Sequence, residues 1–135
     1  MGKSIGIGLL GLGTVGSGVA SILKKPEGRH PLVSELKLIG VAVKDTNKKR
    51  ELDIDPSLLT NNPEEIIDNP EVKVVVEVMG GIEPARSLIL KAISRGKSVV
   101  TANKAVIARH GEEIAEAAKE EGVYVLIEAA VGGGI

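Results

Sequence analysis

The chain has no cysteine, tryptophan or phenylalanine, and Tyr124 is its one tyrosine. Without cysteine there is no disulfide and no thiolate metal site, a pattern that fits a cytoplasmic protein. Aromatic side chains to stack on bases are missing, and 17 Lys and Arg are balanced by 18 Asp and Glu, so nothing marks a nucleic-acid surface. No apolar run reaches the roughly 20 residues of a membrane span. No secretory leader pattern stands at the start, because the residues from Ser4 onward already read as a strand. Met1-Gly2 is not an acylation signal, since position 6 is Gly6 and not serine or threonine. Met1-Gly2-Lys3-Ser4 resembles the tail of a phosphate-binding loop but lacks its upstream glycine. His30 and His110 are isolated and lack metal-ligand spacing; His110 reads as a residue near a helix start.

What is present is a folded-protein composition: 43% hydrophobic and 26% charged residues over 135 positions, enough for one domain with a real core. Apolar strand-like runs alternate with helix-like runs. Residues 4–10, 37–43, 72–78, 98–101 and 123–129 read as strands. Residues 15–24, 45–52, 62–68, 84–95 and 112–121 read as helices, and 25–34 as a proline-containing loop. Asn62-Pro63-Glu64-Glu65 supplies a cap, a proline at the first helical position and acids in the first turn. Gly96 and Gly122 are the expected stops of the two later helices. The alternation predicts an α/β fold, a doubly wound parallel sheet covered on both faces.

The strongest local signal is Gly11-Leu12-Gly13-Thr14-Val15-Gly16, a G-x-G-x-x-G that follows the first strand and opens the first helix. Gly11 permits the turn, Gly13 lets a phosphate approach the backbone, and Gly16 lets the helix pack close to the strand. Free N–H groups and the helix dipole then suit a pyrophosphate. This context predicts a Rossmann-like dinucleotide-binding domain over residues 1–135.

Further candidates fall at carboxyl ends of strands, where open parallel sheets bind ligands. After the second strand come Lys44 and Asp45. Asp45 can hold the ribose hydroxyls of NAD, and Lys44 can hold the extra phosphate of NADP, so the pair argues both ways; Asp45 can also simply cap the next helix. The spacing from Gly16 to Asp45 exceeds the usual roughly 20 residues, and the proline loop accounts for the excess. Gly80-Gly81 can admit the nicotinamide side of a dinucleotide, or form an ordinary turn. Glu77, inside a strand, needs a partner if it is buried. Thr101, Asn103 and Lys104 follow the next strand; the lysine can face an oxygen that becomes anionic as hydride moves, or be a surface lysine at a helix start. Glu128 and the glycine-rich run after it offer oxygen ligands of the kind hard cations take, a weak signal by itself.

Four motifs in order resemble the homoserine dehydrogenase family: Gly11 to Val19, Glu77-Val78-Met79-Gly80-Gly81, Val100-Thr101-Ala102-Asn103-Lys104-Ala105, and Glu128 to Ile135. The resemblance covers the whole chain. It implies reduction of aspartate 4-semialdehyde to homoserine with NADH or NADPH, on the route to threonine, isoleucine and methionine. It implies a catalytic role for Lys104 beside the nicotinamide, and pyrophosphate contacts from Leu12, Thr14 and Val15. Lys44 falls near the adenosine 2′ position, a lean to NADP with NAD possible. Glu128, Val131, Gly133 and Ile135 match sodium-binding positions. The family's substrate domain follows the final glycine run and carries a second lysine, the substrate-gripping acids and most dimer contacts. The chain therefore reads as a cofactor domain excised from a longer, homo-oligomeric enzyme, able to bind a nicotinamide dinucleotide but not to turn over substrate. Two other readings stay open: the cofactor domain of another amino-acid or sugar oxidoreductase, and a stand-alone nucleotide sensor.

Overall fold

The computed structural model describes residues 5–13, 16, 18–20, 35–44, 46 and 54–127. Six strands form one sheet: β1 (Ile5–Leu10), β2 (Leu36–Ala42), β3 (Leu59–Thr60), β4 (Val72–Glu77), β5 (Ser98–Thr101) and β6 (Val125–Ile127). Their order is β3-β2-β1-β4-β5-β6, and every pairing is parallel. The chain builds outward from β1 to β3, then crosses back to lay β4 on the other side of β1. A crevice opens at the carboxyl edge of the sheet where this direction reverses.

Alternation along the strands sends side chains to both faces. Leu10 and Ala42 join one buried cluster, while Leu9 and Val41 join another. The first cluster lies under helices α1 (Pro63–Asp68), α2 (Ala85–Ser94) and α3 (Lys104–Glu121). The second includes Ala20, in the helical stretch after the glycine motif, where residues 16 and 18–20 are helical. Both faces are therefore covered, as the sequence pattern predicts for an α/β doubly wound sheet.

Glycines in β1 and β2 set how closely α1 approaches. A Cβ on Gly8 would lie 2.3 Å from Ile66 Cγ2, and one on Gly40 would lie 2.5 Å from Ile66 Cδ1. Ile66, 5% exposed, thus rests directly on strand backbone. The Asn62 side chain accepts from the Glu64 N–H at 3.1 Å and caps α1, with Pro63 at the first helical position as expected. Helix α2 buries Ala85, Leu88, Ile89, Ala92 and Ile93, and Gly96 follows it with φ +76°. Gly122 ends α3 in the left-handed conformation.

Three expectations change. Helix α3 begins at Lys104, well before residue 112, because Asn103 caps it; His110, expected near a helix start, lies inside the helix at a bend (φ −129°). A 3-10 turn (Pro56–Leu58) and the short β3 were not anticipated. Strand β6 covers Val125–Ile127 among the described residues, starting later than residue 123. The helix expected over 45–52 lies, apart from Thr46 in a turn, outside the described residues.

Candidate functional site at the carboxyl edge of the sheet

The turn after β1 is shaped by missing side chains. Gly11 adopts φ +101°, and its N–H donates to the Ala42 carbonyl at 2.9 Å, tying the turn to β2. A Cβ on Gly16 would meet the Gly11 carbonyl oxygen at 2.6 Å and Val78 Cγ2 at 3.1 Å, so the helix start sits against the turn only as glycine. A Cβ on Gly13 would meet nothing within 4 Å among the described residues, so on that side its backbone faces open space. These are the three roles that a pyrophosphate cradle requires. Leu12 is buried beside Val41 and Val43 and anchors the turn. Thr14 and Val15 lie outside the described residues.

The turn opens into a cleft of about 540 Å³ lined by Gly11, Leu12, Ala42, Val43, Lys44, Asn61, Pro63, Val78, Met79 and Pro84. Its walls come from the carboxyl ends of β1, β2 and β4, the place the topology selects. The volume falls in the range of small-molecule sites. Lys44 is exposed at the β2 end of this cleft; Asp45, its partner in the sequence argument, lies outside the described residues. Asn61, Pro63 and Pro84 were not foreseen as site residues. Their signal is only topological: Asn61 follows β3, which ends at this edge, while Pro63 begins α1 and Pro84 precedes α2, which start there.

Beyond Met79 the edge is built differently. Glu77, the last residue of β4, is fully buried. Its Oε1 accepts from the Thr101 hydroxyl at 2.5 Å, and its Oε2 accepts from the Met79 N–H at 2.8 Å and the Asn103 side-chain amide at 3.4 Å. The burial that the sequence made conditional is real, and the partners are present. The Asn103 amide also donates to the Gly81 carbonyl at 2.6 Å, and its Oδ1 accepts from the Val106 N–H at 3.1 Å. One side chain therefore holds the Met79–Gly81 turn and caps α3 together. Gly80 and Gly81 have φ +79° and +74°, which favours glycine at both. Lys104 is the first residue of α3; its side chain is exposed and makes no ion pair with another described residue. Thus Gly80, Gly81, Thr101, Asn103 and Lys104 come together, next to the cleft but outside its lining, while Lys44 stands at its other end.

Opposite charges sit at opposite edges. Lys97, buried at the amino side of β5, donates to the Asn69 and Val72 carbonyls at 2.7 and 2.6 Å. Burial, with Lys73 nearby, pushes its pKa below the ordinary lysine value, against a smaller pull from Asp68. On the surface Arg86 grips Glu113 through two hydrogen bonds, which hold the Glu113 carboxyl below the usual carboxylate range.

Glu128, Val131, Gly133 and Ile135 lie outside the described residues. Among the described residues no group of three or more His, Cys, Asp or Glu is placed to hold a metal, and no helix is long and apolar enough to cross a membrane.

Comparison with known proteins agrees with this geometry. The family model described as homoserine dehydrogenase, NAD binding domain, matches residues 11–128. A homoserine dehydrogenase of Synechocystis is 57% identical over 132 residues, covering 98% of this chain and 30% of the relative. The Bacillus subtilis homoserine dehydrogenase is 44% identical over 98% of this chain and 31% of its own length. A crystal structure of S. aureus homoserine dehydrogenase at pH 7.5 superposes with TM-score 0.87 at 39% identity, covering all of this chain and 34% of that one. A hyperthermophilic archaeal homoserine dehydrogenase in complex with NADPH superposes with TM-score 0.72 at 25% identity, over 93% of this chain and 44% of that one. The chain thus spans about 30% of the length of the curated relatives it matches. It is Rossmann-like in fold and belongs to the homoserine dehydrogenase family, as that family's NAD-binding domain.

Proposed function

We propose that a nicotinamide dinucleotide lies along this carboxyl edge. Gly11, Leu12, Gly13, Thr14, Val15 and Gly16 hold its pyrophosphate, Lys44 and Asp45 its adenosine ribose, and Gly80, Gly81 and Lys104 its nicotinamide end. Thr101 and Asn103 act from below, because the hydroxyl is committed to Glu77 and the buried amide to Glu77 and the Gly81 carbonyl. The observation that carries this reading is the glycine turn, open at Gly13 and leading into the cleft at the sheet's reversal point. The NADPH complex of the archaeal relative supports the ligand class. Exposed Lys44 in the cleft wall favours NADP over NAD, since a cation there attracts a 2′ phosphate. The sodium reading at Glu128, Val131, Gly133 and Ile135 rests on the family resemblance alone.

In the complete protein, the function is reduction of L-aspartate 4-semialdehyde to L-homoserine. When bound, the dinucleotide supplies the hydride. Lys104, free at the helix start, stabilises the substrate oxygen as negative charge develops on it. Residues 1–135 form the cofactor-binding domain. The remainder of the protein supplies the substrate grip, the proton donor and the dimer contacts, so this chain alone binds cofactor without turnover. The setting is cytoplasmic amino-acid biosynthesis. The test is Lys104→Ala in the complete protein, assayed for NADPH-dependent reduction of aspartate 4-semialdehyde. A fall in kcat of about a hundredfold with cofactor affinity retained supports the role; an unchanged kcat removes Lys104 from it.

A further inference from the structure

We propose that Glu77 is a positioning residue that locks the Met79–Gly81 turn and the start of α3 into one unit, and so builds the nicotinamide end of the site. This rests on the dinucleotide reading above. Strand β4 is otherwise rich in valine, with Val72 and Val75 in the core, and it lies between β1 and β5. A carboxyl group in such a place costs stability unless every oxygen is satisfied. An apolar residue would serve the sheet at least as well, so the carboxyl answers to something other than packing. It stands opposite Thr101 in the sheet register, at the carboxyl edge.

All three groups that reach it are donors. The Asn103 N–H already donates to the Thr101 oxygen at 3.0 Å, so the Thr101 hydroxyl proton is free to point at Glu77. The Met79 N–H comes from the turn itself, and the Asn103 amide from the residue before Lys104. The same amide continues to the Gly81 carbonyl. The turn it grips contains two glycines with positive φ, and among the described residues no neighbour lies within 4 Å of either would-be Cβ. Such a turn has no side chain of its own to fix it. Its shape is held through Glu77 at Met79 and through Asn103 at Gly81. Losing the carboxylate would free the turn and let the α3 start, with Lys104, shift relative to it.

The test separates the two ends of the ligand. The chain is titrated with NADPH and with 2′-phospho-ADP-ribose, which lacks the nicotinamide, and folding is followed by circular dichroism. Wild type should bind both, NADPH the more tightly. Glu77→Leu leaves the Met79, Asn103 and Thr101 donors without their acceptor. It should weaken NADPH about tenfold while leaving the fragment within about twofold. Asn103→Ser keeps a helix-capping oxygen but removes the amide donor to Glu77 and Gly81, and should give the same selective loss even if Glu77→Leu fails to fold. Equal loss of both ligands in a folded Asn103→Ser chain, or loss of neither, would overturn the positioning role. So would equal wild-type affinities for the two ligands. Binding of neither ligand by wild type would instead refute the dinucleotide reading, and the positioning role with it.

Discussion

At the carboxyl end of β1 the chain presents Gly11, Gly13 and Gly16; at the ends of β4 and β5 it presents Glu77, Thr101 and Asn103. The first group shapes its surface by leaving side chains out. Backbone can then turn at φ +101°, the helix can start where a Cβ on Gly16 would lie 2.6 Å from the Gly11 carbonyl oxygen, and a ligand can reach Gly13. The second group shapes its surface by hydrogen bonds among buried side chains, with a carboxylate at the centre. The difference teaches that one ligand edge can hold two kinds of rigidity. Steric exclusion at Gly16 tolerates no added atom, whereas a polar network tolerates no lost partner.

That contrast can be broken by substitution. The largest effect is expected at Gly16→Val, which forces atoms into the Gly11 carbonyl and Val78. It should cost about 1–3 kcal/mol of stability in denaturant unfolding and also abolish NADPH binding in titration. Thr101→Val should come next. It leaves the Asn103 N–H without its acceptor and Glu77 without a donor, a loss of about 1–2 kcal/mol in the same assay, and Thr101→Ser should restore most of it. If Gly16→Val were silent, or Thr101→Ser as damaging as Thr101→Val, the two kinds of rigidity would not be distinct.

The amino edge sharpens the comparison, because its buried polar group is a cation. Lys97→Met removes the donor to two carbonyls and should cost about 1 kcal/mol. Burial lowers the folded pKa below the ordinary 10.5. Between those two values the unfolded chain holds the proton and the folded chain has released it. Stability from this group therefore rises with pH across that window. Thermal midpoints measured against pH should show the rise in wild type relative to Lys97→Met; a flat difference would mean Lys97 titrates alike in both states. The smallest effect is expected at Lys44→Ala, an exposed cation. NADP affinity should fall about fivefold and NAD affinity hardly at all by calorimetry, and equal losses would remove Lys44 from the 2′ position.

The two halves of the site also differ in how well the sequence displays them. The glycine turn is local, so its spacing and the flanking apolar runs announce it within a few residues. The longer strands, α2 and the capped α1 were legible for the same reason, through periodicity, Asn62-Pro63 and Gly96. Glu77 was legible only as a question, since Thr101 and Asn103 reach it from another strand and its end. That pairing depends on the β4–β5 register, which no local pattern states. The early start of α3 was legible only as one alternative, a surface lysine at a helix start, because nothing local shows that Asn103 Oδ1 caps the helix. The small β3 and the cleft residue Asn61 after it carry no periodic signal at all. Ile66 shows the limit from the other side. Its closeness to Gly8 and Gly40 explains why glycines recur inside strands, where sequence alone marks them only as weak positions.

The most direct measurement is calorimetric titration of NADPH into the chain and into its Gly13→Ala variant, with thermal unfolding of both. A saturable site in wild type, weakened at least about tenfold in the variant at an unchanged midpoint, is the expected result, because the added methyl meets no atom of the described residues and occupies ligand space. Equal binding by the two chains, or no binding by wild type, would contradict a dinucleotide held on the glycine turn.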